Sequence, residues 1–289
     1  MPHALGIDLG GSTARAAVVE RVNGRVLASA RVKLTSREVR DVVGELVQLA
    51  SQLPPTTGAV GVAVAGMLHG GVVKNAPNLG WRDVDLGATL SSALSREVLL
   101  LNDLSAAAWG EFRAGASRGA SDSLTVFVGT GVGSAVISGG ALLRGATGVA
   151  GEFGHLKVVP DGGRRCGCGQ EGCLEAYAGG AKLAEWMTEE GLPGRAADLE
   201  VLALSGDVTA RRLYDFIASQ LSLAVANQVS MLNPAVLVLG GGVLSRSPGL
   251  VTHIEAGIAR WSTVAARGVR VARAQLGDDS GLVGAALLG

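Results

Sequence analysis

The chain has 289 residues, of which 44 are glycine and few are aromatic (4 Trp, 2 Tyr, 4 Phe), with 25 Lys+Arg against 25 Asp+Glu. A zero formal charge argues against a nucleic-acid partner held by counterion release, and so few rings argue against a stacking platform for single strands. A hydrophobic content of 48% excludes a disordered chain, glycine without a Gly-X-Y period excludes collagen, and the length predicts roughly two domains.

Met1-Pro2-His3-Ala4 and the apolar run Leu5 to Leu9 lack a basic leader and a long apolar core, so no signal peptide is expected. No apolar run is long enough to span a bilayer, so no membrane partner and a cytoplasmic location are expected. Leu5 to Leu9, Ala14 to Val19 and Arg25 to Leu34 read as strands. Gly10-Gly11 and Asn23-Gly24 between them read as hairpin turns. Glu38 to Leu53 carries apolar residues at helical spacing and stops at Pro54-Pro55. A strand at Ala59 to Ala65, a helix at Leu86 to Ser95, a strand at Val98 to Leu101 and an Ala-rich helix at Asp103 to Ala114 follow. The pattern then restarts. Leu124 to Val128 and Ser134 to Ile137 are strands around Gly129 to Gly133, so two related halves are expected. Helices follow at Leu174 to Glu190 and Asp207 to Leu232, strands at Val236 to Leu239 and Val269 to Ala272, and a last helix at Leu282 to Leu288.

Three glycine loops stand out. The first is Asp8-Leu9-Gly10-Gly11-Ser12-Thr13, the second Gly129-Thr130-Gly131-Val132-Gly133 and the third Gly240-Gly241-Gly242. Any one of them fits a plain turn. Together they suit a nucleotide whose phosphates approach bare backbone amides, with Asp8 suited to a hydrated magnesium.

Cys166, Cys168 and Cys173 form C-x-C-x4-C, and His155 lies just upstream in Gly151-Glu152-Phe153-Gly154-His155. Three thiolates and one imidazole complete a closed tetrahedral zinc shell, which is structural because no position stays open. Asn102-Asp103 at a helix start fits an N-cap. It also fits a carboxylate held ionised to take a proton from an attacking hydroxyl. Asn75 to Trp81 reads as a polar turn without strand pattern. Glu152 and Glu175 flank the zinc loop, and zinc would draw His155 toward Cys173 and bring both glutamates toward one place. Acceptors gathered in this way suit a polyhydroxyl ligand.

These residues resemble the ROK family of bacterial sugar kinases, most of all its glucokinases. The matching segments are Asp8 to Thr13, Ala76-Pro-Asn-Leu-Gly-Trp81, Asn102-Asp103 with Ala106 to Glu111, Gly129 to Gly133 and Gly151 to His155. Val158 to Gly162, Cys166 to Glu175, Gly240 to Val243, Gln275-Leu-Gly and Gly281 to Ala285 follow in family order. The resemblance implies an α/β, duplicated actin-like (ribonuclease H-like) ATPase fold with sugar and ATP in an interlobe cleft. The lobes would be residues 1–115, with a C-terminal helix near 280–289 packing back on them, and 116–279 with the zinc loop at 161–173.

It further implies Mg-ATP as phosphoryl donor, glucose phosphorylated at its 6-hydroxyl, and Asp103 as the base. Asn78, Asn102, Asp103, Glu152, His155 and Glu175 would hold the sugar. Asp8, Gly10, Gly11, Ser12, Thr13, Gly129, Thr130, Gly131, Val132, Gly240, Gly241 and Gly242 would hold the nucleotide, and His155, Cys166, Cys168 and Cys173 the zinc. A homodimer or dimer of dimers is implied. Ser12 stands where the family commonly has Thr and keeps the hydroxyl, so a small effect is expected; Leu174 and Gly179 stand where the family commonly has Trp and Ser, which leaves the sugar open to N-acetylglucosamine, N-acetylmannosamine or fructose, and polyphosphate stays open as donor. A sugar-sensing regulator without its DNA-binding part is the remaining alternative.

Overall fold

The computed structural model describes residues 2–289. The chain divides into two compact units. The first holds the chain up to Ala120, then Ala135–Ala150 and Ala274–Gly289; the second holds Ser121–Ser134 and Gly151–Arg273.

The opening elements are β1 (His3–Leu9), β2 (Thr13–Glu20), β3 (Val26–Lys33), α1 (Val39–Ser51), β4 (Val60–Val64), β5 (Met67–His69), β6 (Val72–Ala76), β7 (Trp81–Val84), α2 (Leu86–Leu94), β8 (Val98–Asn102) and α3 (Asp103–Ala114). Five strands form one sheet in the order β3-β2-β1-β4-β8. β1, β2 and β3 are antiparallel, whereas β4 and β8 run parallel to β1. β4 is buried throughout, as expected for a parallel strand covered on both faces. The polar turn expected over Asn75–Trp81 is present at 77–80, but the absence of strand there is corrected: its flanks Asn75–Ala76 and Trp81 are strand, and β5, β6 and β7 make a separate three-stranded antiparallel sheet. Strands this short carry too few residues to show alternation.

The chain continues through β9 (Ser123–Val128), β10 (Val132–Ser138), β11 (Ala141–Leu142), α4 (Glu175–Ala178), α5 (Gly180–Glu189), α6 (Leu199–Leu204), α7 (Val208–Leu232), β12 (Val236–Gly240), α8 (Gly242–Arg246), α9 (Pro248–Trp261), β13 (Arg270–Arg273) and α10 (Ser280–Ala286). The second sheet has the order β11-β10-β9-β12-β13, with β12 parallel to β9 and β13. Three hairpin-joined strands followed by two parallel ones repeat the first sheet, which is the duplicated actin-like α/β fold. The single helix expected over 174–190 is two, because Gly179 turns extended (φ −66°, ψ 129°) between α4 and α5. Among the described residues no helix is long and apolar enough to cross a membrane.

α10 returns to the first unit and packs on β1, β4 and α3. Its approach needs a bare backbone, since a Cβ at Gly61 would overlap the Ala285 carbonyl. Just ahead of it, the fully buried Glu111 carboxylate accepts N–H bonds from Gln275 (3.1 Å) and Leu276 (2.9 Å) as well as from Ala116 (2.8 Å). Three backbone donors satisfy a charge that burial would otherwise penalise heavily.

Candidate active site

In the first unit the turn from β1 to β2 is closed by the Gly10 N–H donating to the Thr13 carbonyl at 3.0 Å. A Cβ on Gly11 would lie 2.5 Å from the Asn78 Cβ, so the glycine lets the first loop press against the β6–β7 turn. That turn is tied by Leu79 N–H to Ala76 O (3.0 Å) and Gly80 N–H to Pro77 O (3.1 Å). Asp8 lies opposite Arg15 in the hairpin register. Arg15 Nη2 donates to Asp8 Oδ2 at 2.7 Å, and its Nη1 to Asp279 Oδ1 at 3.0 Å. Sequence reasoning missed Arg15, although the two-glycine turn alone set this pairing.

Asn102 caps α3: its Oδ1 accepts the N–H groups of Leu104 (3.0 Å) and Ser105 (3.2 Å), and its Nδ2 donates to Gly66 O at 3.0 Å. Asp103 follows in the first turn, half-buried, with Oδ1 accepting the Leu104 N–H at 3.0 Å. Burial pushes its carboxyl up to about 6, and the negative charge of Asp8 acts in the same direction, against the Leu104 hydrogen bond. A base poised near neutrality is what proton transfer from a hydroxyl asks for. A cavity of about 600 Å³ borders Asn102 and is also lined by Leu68, Gly71, Ser105 and Gly148.

In the second unit the β9–β10 turn places Gly129 N–H on Gly131 O at 2.9 Å. Val132 N–H donates to Glu175 Oε2 at 2.9 Å, and a Cβ on Gly131 would meet that oxygen at 2.5 Å. α5 begins against the same loop, with Gly180 N–H on Gly129 O (2.8 Å) and Ala181 N–H on Thr130 O (3.0 Å). β12 lies beside β9 with Gly240 opposite Phe127, which carries the third loop alongside the second. Gly180 was missed by sequence reasoning. Its only local signal is the Gly179-Gly180 pair that divides the helix.

Glu152 leads into a 3-10 turn, Phe153–His155. The ligand atoms of His155, Cys166, Cys168 and Cys173 all lie within 4.8 Å of one another. His155 Nδ1 is 3.6 Å from Cys166 Sγ, and the Cys168 and Cys173 sulfurs are 3.7 Å apart. A zinc tetrahedron with bonds of about 2.3 Å has edges of roughly 3.8 Å, so the donor set fits zinc in number, type and spacing. Burial pushes the Cys166 thiol up to about 12, and a bound cation would supply what the thiolate needs. His155 Nε2 faces Glu152 Oε2 at 3.4 Å, and Glu175 Oε1 lies 3.7 Å from Cys166 Sγ. The second unit thus gathers Glu152, His155, Glu175, the three cysteines and two glycine loops; the first gathers Asp8, Gly10 to Thr13, Asn78, Asn102 and Asp103.

The ROK family model matches residues 4–289. The chain is 32% identical to a glucokinase of Streptomyces coelicolor, over 99% of this chain and 97% of the relative. It is also 32% identical to an N-acetyl-D-glucosamine kinase of Escherichia coli, over 98% of each. Among solved structures, a ROK family glucokinase from Streptomyces griseus in complex with glucose and AMPPNP superposes with a TM-score of 0.80 at 32% identity, covering 99% of both chains.

Proposed function

Since the chain belongs to the ROK family and is a sugar kinase, we propose that it transfers the γ-phosphoryl group of ATP to the 6-hydroxyl of glucose. The observation that carries this reading is the Asp103 carboxylate, held at the start of α3 with its proton affinity raised to about 6. As the 6-oxygen bonds to the γ-phosphorus, its proton passes to Asp103 and ADP leaves. Phosphoryl transfer asks a protein mainly for positioning and charge stabilisation. The glycine loops at 10–13, 129–132 and 240–242 take the nucleotide in this reading. Magnesium bound with ATP would screen the phosphate charge, with Asp8 the carboxylate nearest in chemistry to its water shell.

The sugar hydroxyls fall to Asn78, Asn102 and Asp103 in the first unit and to Glu152, His155 and Glu175 in the second. Asn102 already caps α3 with its oxygen and gives one amide N–H to Gly66 O, so it offers the sugar its second amide N–H. Zinc on His155, Cys166, Cys168 and Cys173 would be structural, fixing the His155 ring so that Nε2 faces Glu152. The reading extends to a homodimer or dimer of dimers. Exposed Met231 (72%) and Val264 (80%) support it, and they lie close together because Thr263 N–H donates to Ser230 Oγ at 3.0 Å.

A coupled ADP-release assay over a panel of sugars tests this. Glucose is expected to give the highest kcat/KM, and ATP to outperform polyphosphate. A second reading, phosphorylation of an N-acetylhexosamine, is favoured by the equal identity to the Escherichia coli N-acetyl-D-glucosamine kinase. It takes over if N-acetylglucosamine exceeds glucose. No sugar-dependent ADP release with any of them would remove both readings.

A further inference from the structure

Lys157 lies two residues beyond His155 and has no part in the sugar or nucleotide assignments above. Its Nζ donates to Cys173 Sγ at 3.2 Å and to the Glu171 carbonyl at 2.6 Å. An isolated antiparallel bridge pairs Lys157 with Cys173 along the backbone, so the ammonium is delivered from fixed chain rather than from a free arm. Cys173 is fully buried and Cys166 is 7% exposed, whereas Cys168 is exposed.

The charge count explains why an ammonium belongs there. A divalent ion with three thiolates and a neutral imidazole carries a net charge of about −1. Two carboxylates add to it, Glu152 Oε2 at 3.4 Å from His155 and Glu175 Oε1 at 3.7 Å from Cys166. Burying uncompensated charge is costly. A charged N–H donor on a sulfur offsets it, and it also draws electron density off that sulfur, which slows protonation and departure of the ligand.

We propose that Lys157 is the counter-charge of the metal site, a residue that sets how long the ion is retained without ligating it. This rests on the zinc reading above. The ion would then be lost from the Cys168 side, where the sulfur is exposed.

The test uses the full chain loaded with zinc and an excess of the chromogenic chelator 4-(2-pyridylazo)resorcinol, with release followed by absorbance. Outer-shell partners of metal sites are typically worth 10–100-fold in affinity. Lys157→Met is therefore expected to release zinc at least about tenfold faster than wild type. Lys157→Arg, which keeps the charge and a donor, is expected to stay within about threefold of wild type. Lys182→Met, which removes a half-buried lysine paired with Glu185 in the same unit, should leave release unchanged. Circular dichroism of the loaded Lys157→Met protein checks that it is folded, and Lys157→Gln serves if it is not. Equal release from folded wild type and the neutral variant overturns the proposal, as does release from Lys157→Arg as fast as from Lys157→Met. Wild type that takes up no zinc overturns the zinc reading itself, a different outcome from either.

Discussion

The Glu175 carboxylate accepts the Val132 N–H at 2.9 Å, and Gly131 is bare where a Cβ would touch the same oxygen at 2.5 Å. One carboxylate therefore joins the second glycine loop to the edge of the cysteine cluster, where its other oxygen faces Cys166. The cysteine loop and the second glycine loop are mechanically coupled through this residue, all within one unit.

A first prediction follows from that bond. Glu175→Ala leaves a backbone donor without its charged acceptor, a loss of about 1.5–3 kcal/mol, read as a lower midpoint in urea unfolding. Glu175→Gln keeps an acceptor oxygen and should lose less than about half as much. Gly131→Ala displaces Glu175 without removing it, so ATP affinity is expected to fall while the unfolding midpoint moves less than in Glu175→Ala. ATP affinity unchanged in Gly131→Ala would separate the loop from the carboxylate.

The same coupling predicts the effect of metal removal. Cys168→Ser should lower bound zinc from about one ion per chain toward none, measured by atomic emission. In the proposed reading zinc would orient His155 and, through Cys166, border Glu175, so the KM for sugar is expected to rise more than the KM for ATP. A variant that loses zinc yet keeps wild-type sugar KM would show that the ion serves stability alone.

Much of this was legible in the residues, for identifiable reasons. Glycine turns at Gly10-Gly11 and Asn23-Gly24 punctuate the first hairpins, and the C-x-C-x4-C spacing with His155 announces the cysteine–histidine cluster because donor number and type are local properties of the chain. What escaped depends on distant partners. Arg15 reaches Asp279 across 264 positions, Glu111 meets Gln275 across 164, and Lys157 finds Cys173 only because a loop folds back. Asn78 sits on a hairpin whose strands are too short to alternate visibly. Tertiary contact, not local propensity, places each of these side chains.

Self-association is tested at the exposed apolar end of α7 and the 3-10 turn that follows α9. Met231 and Val264 are 72% and 80% exposed, and covering them would stabilise a partnered form by roughly 1.5–3 kcal/mol per side chain. Val264→Glu is expected to shift the chain to monomer in sedimentation velocity at micromolar concentration, with sugar phosphorylation per chain used to show that the protein is still folded. An oligomer that survives both Val264→Glu and Met231→Glu would place the interface elsewhere.

Asp103 gives the sharpest prediction, because in the proposed reading catalysis and stability depend on its proton in opposite ways. As the proposed base it works only when ionised. With its carboxyl raised to about 6, kcat/KM for sugar is expected to rise with pH through about 6 and level off above it. Stability runs the other way. The folded-state value lies above the ordinary carboxylate value of 3.8, so the folded state prefers the protonated form. Ionisation begins to penalise folding as pH rises above 3.8, and the penalty is complete above about 6. Asp103→Asn removes a charge that is half-buried beside Asp8, and it should stabilise the fold at pH 7.5 by roughly 1–2 kcal/mol after allowance for solvent screening. The same variant should show no gain at pH 3.5. Its turnover is expected to drop by at least about 10²-fold, the usual worth of a general base, while glucose affinity by calorimetry stays within about threefold of wild type. Turnover near wild type in Asp103→Asn would remove Asp103 from the chemistry. A stability gain equal at both pH values would show that its ionisation is not the cause.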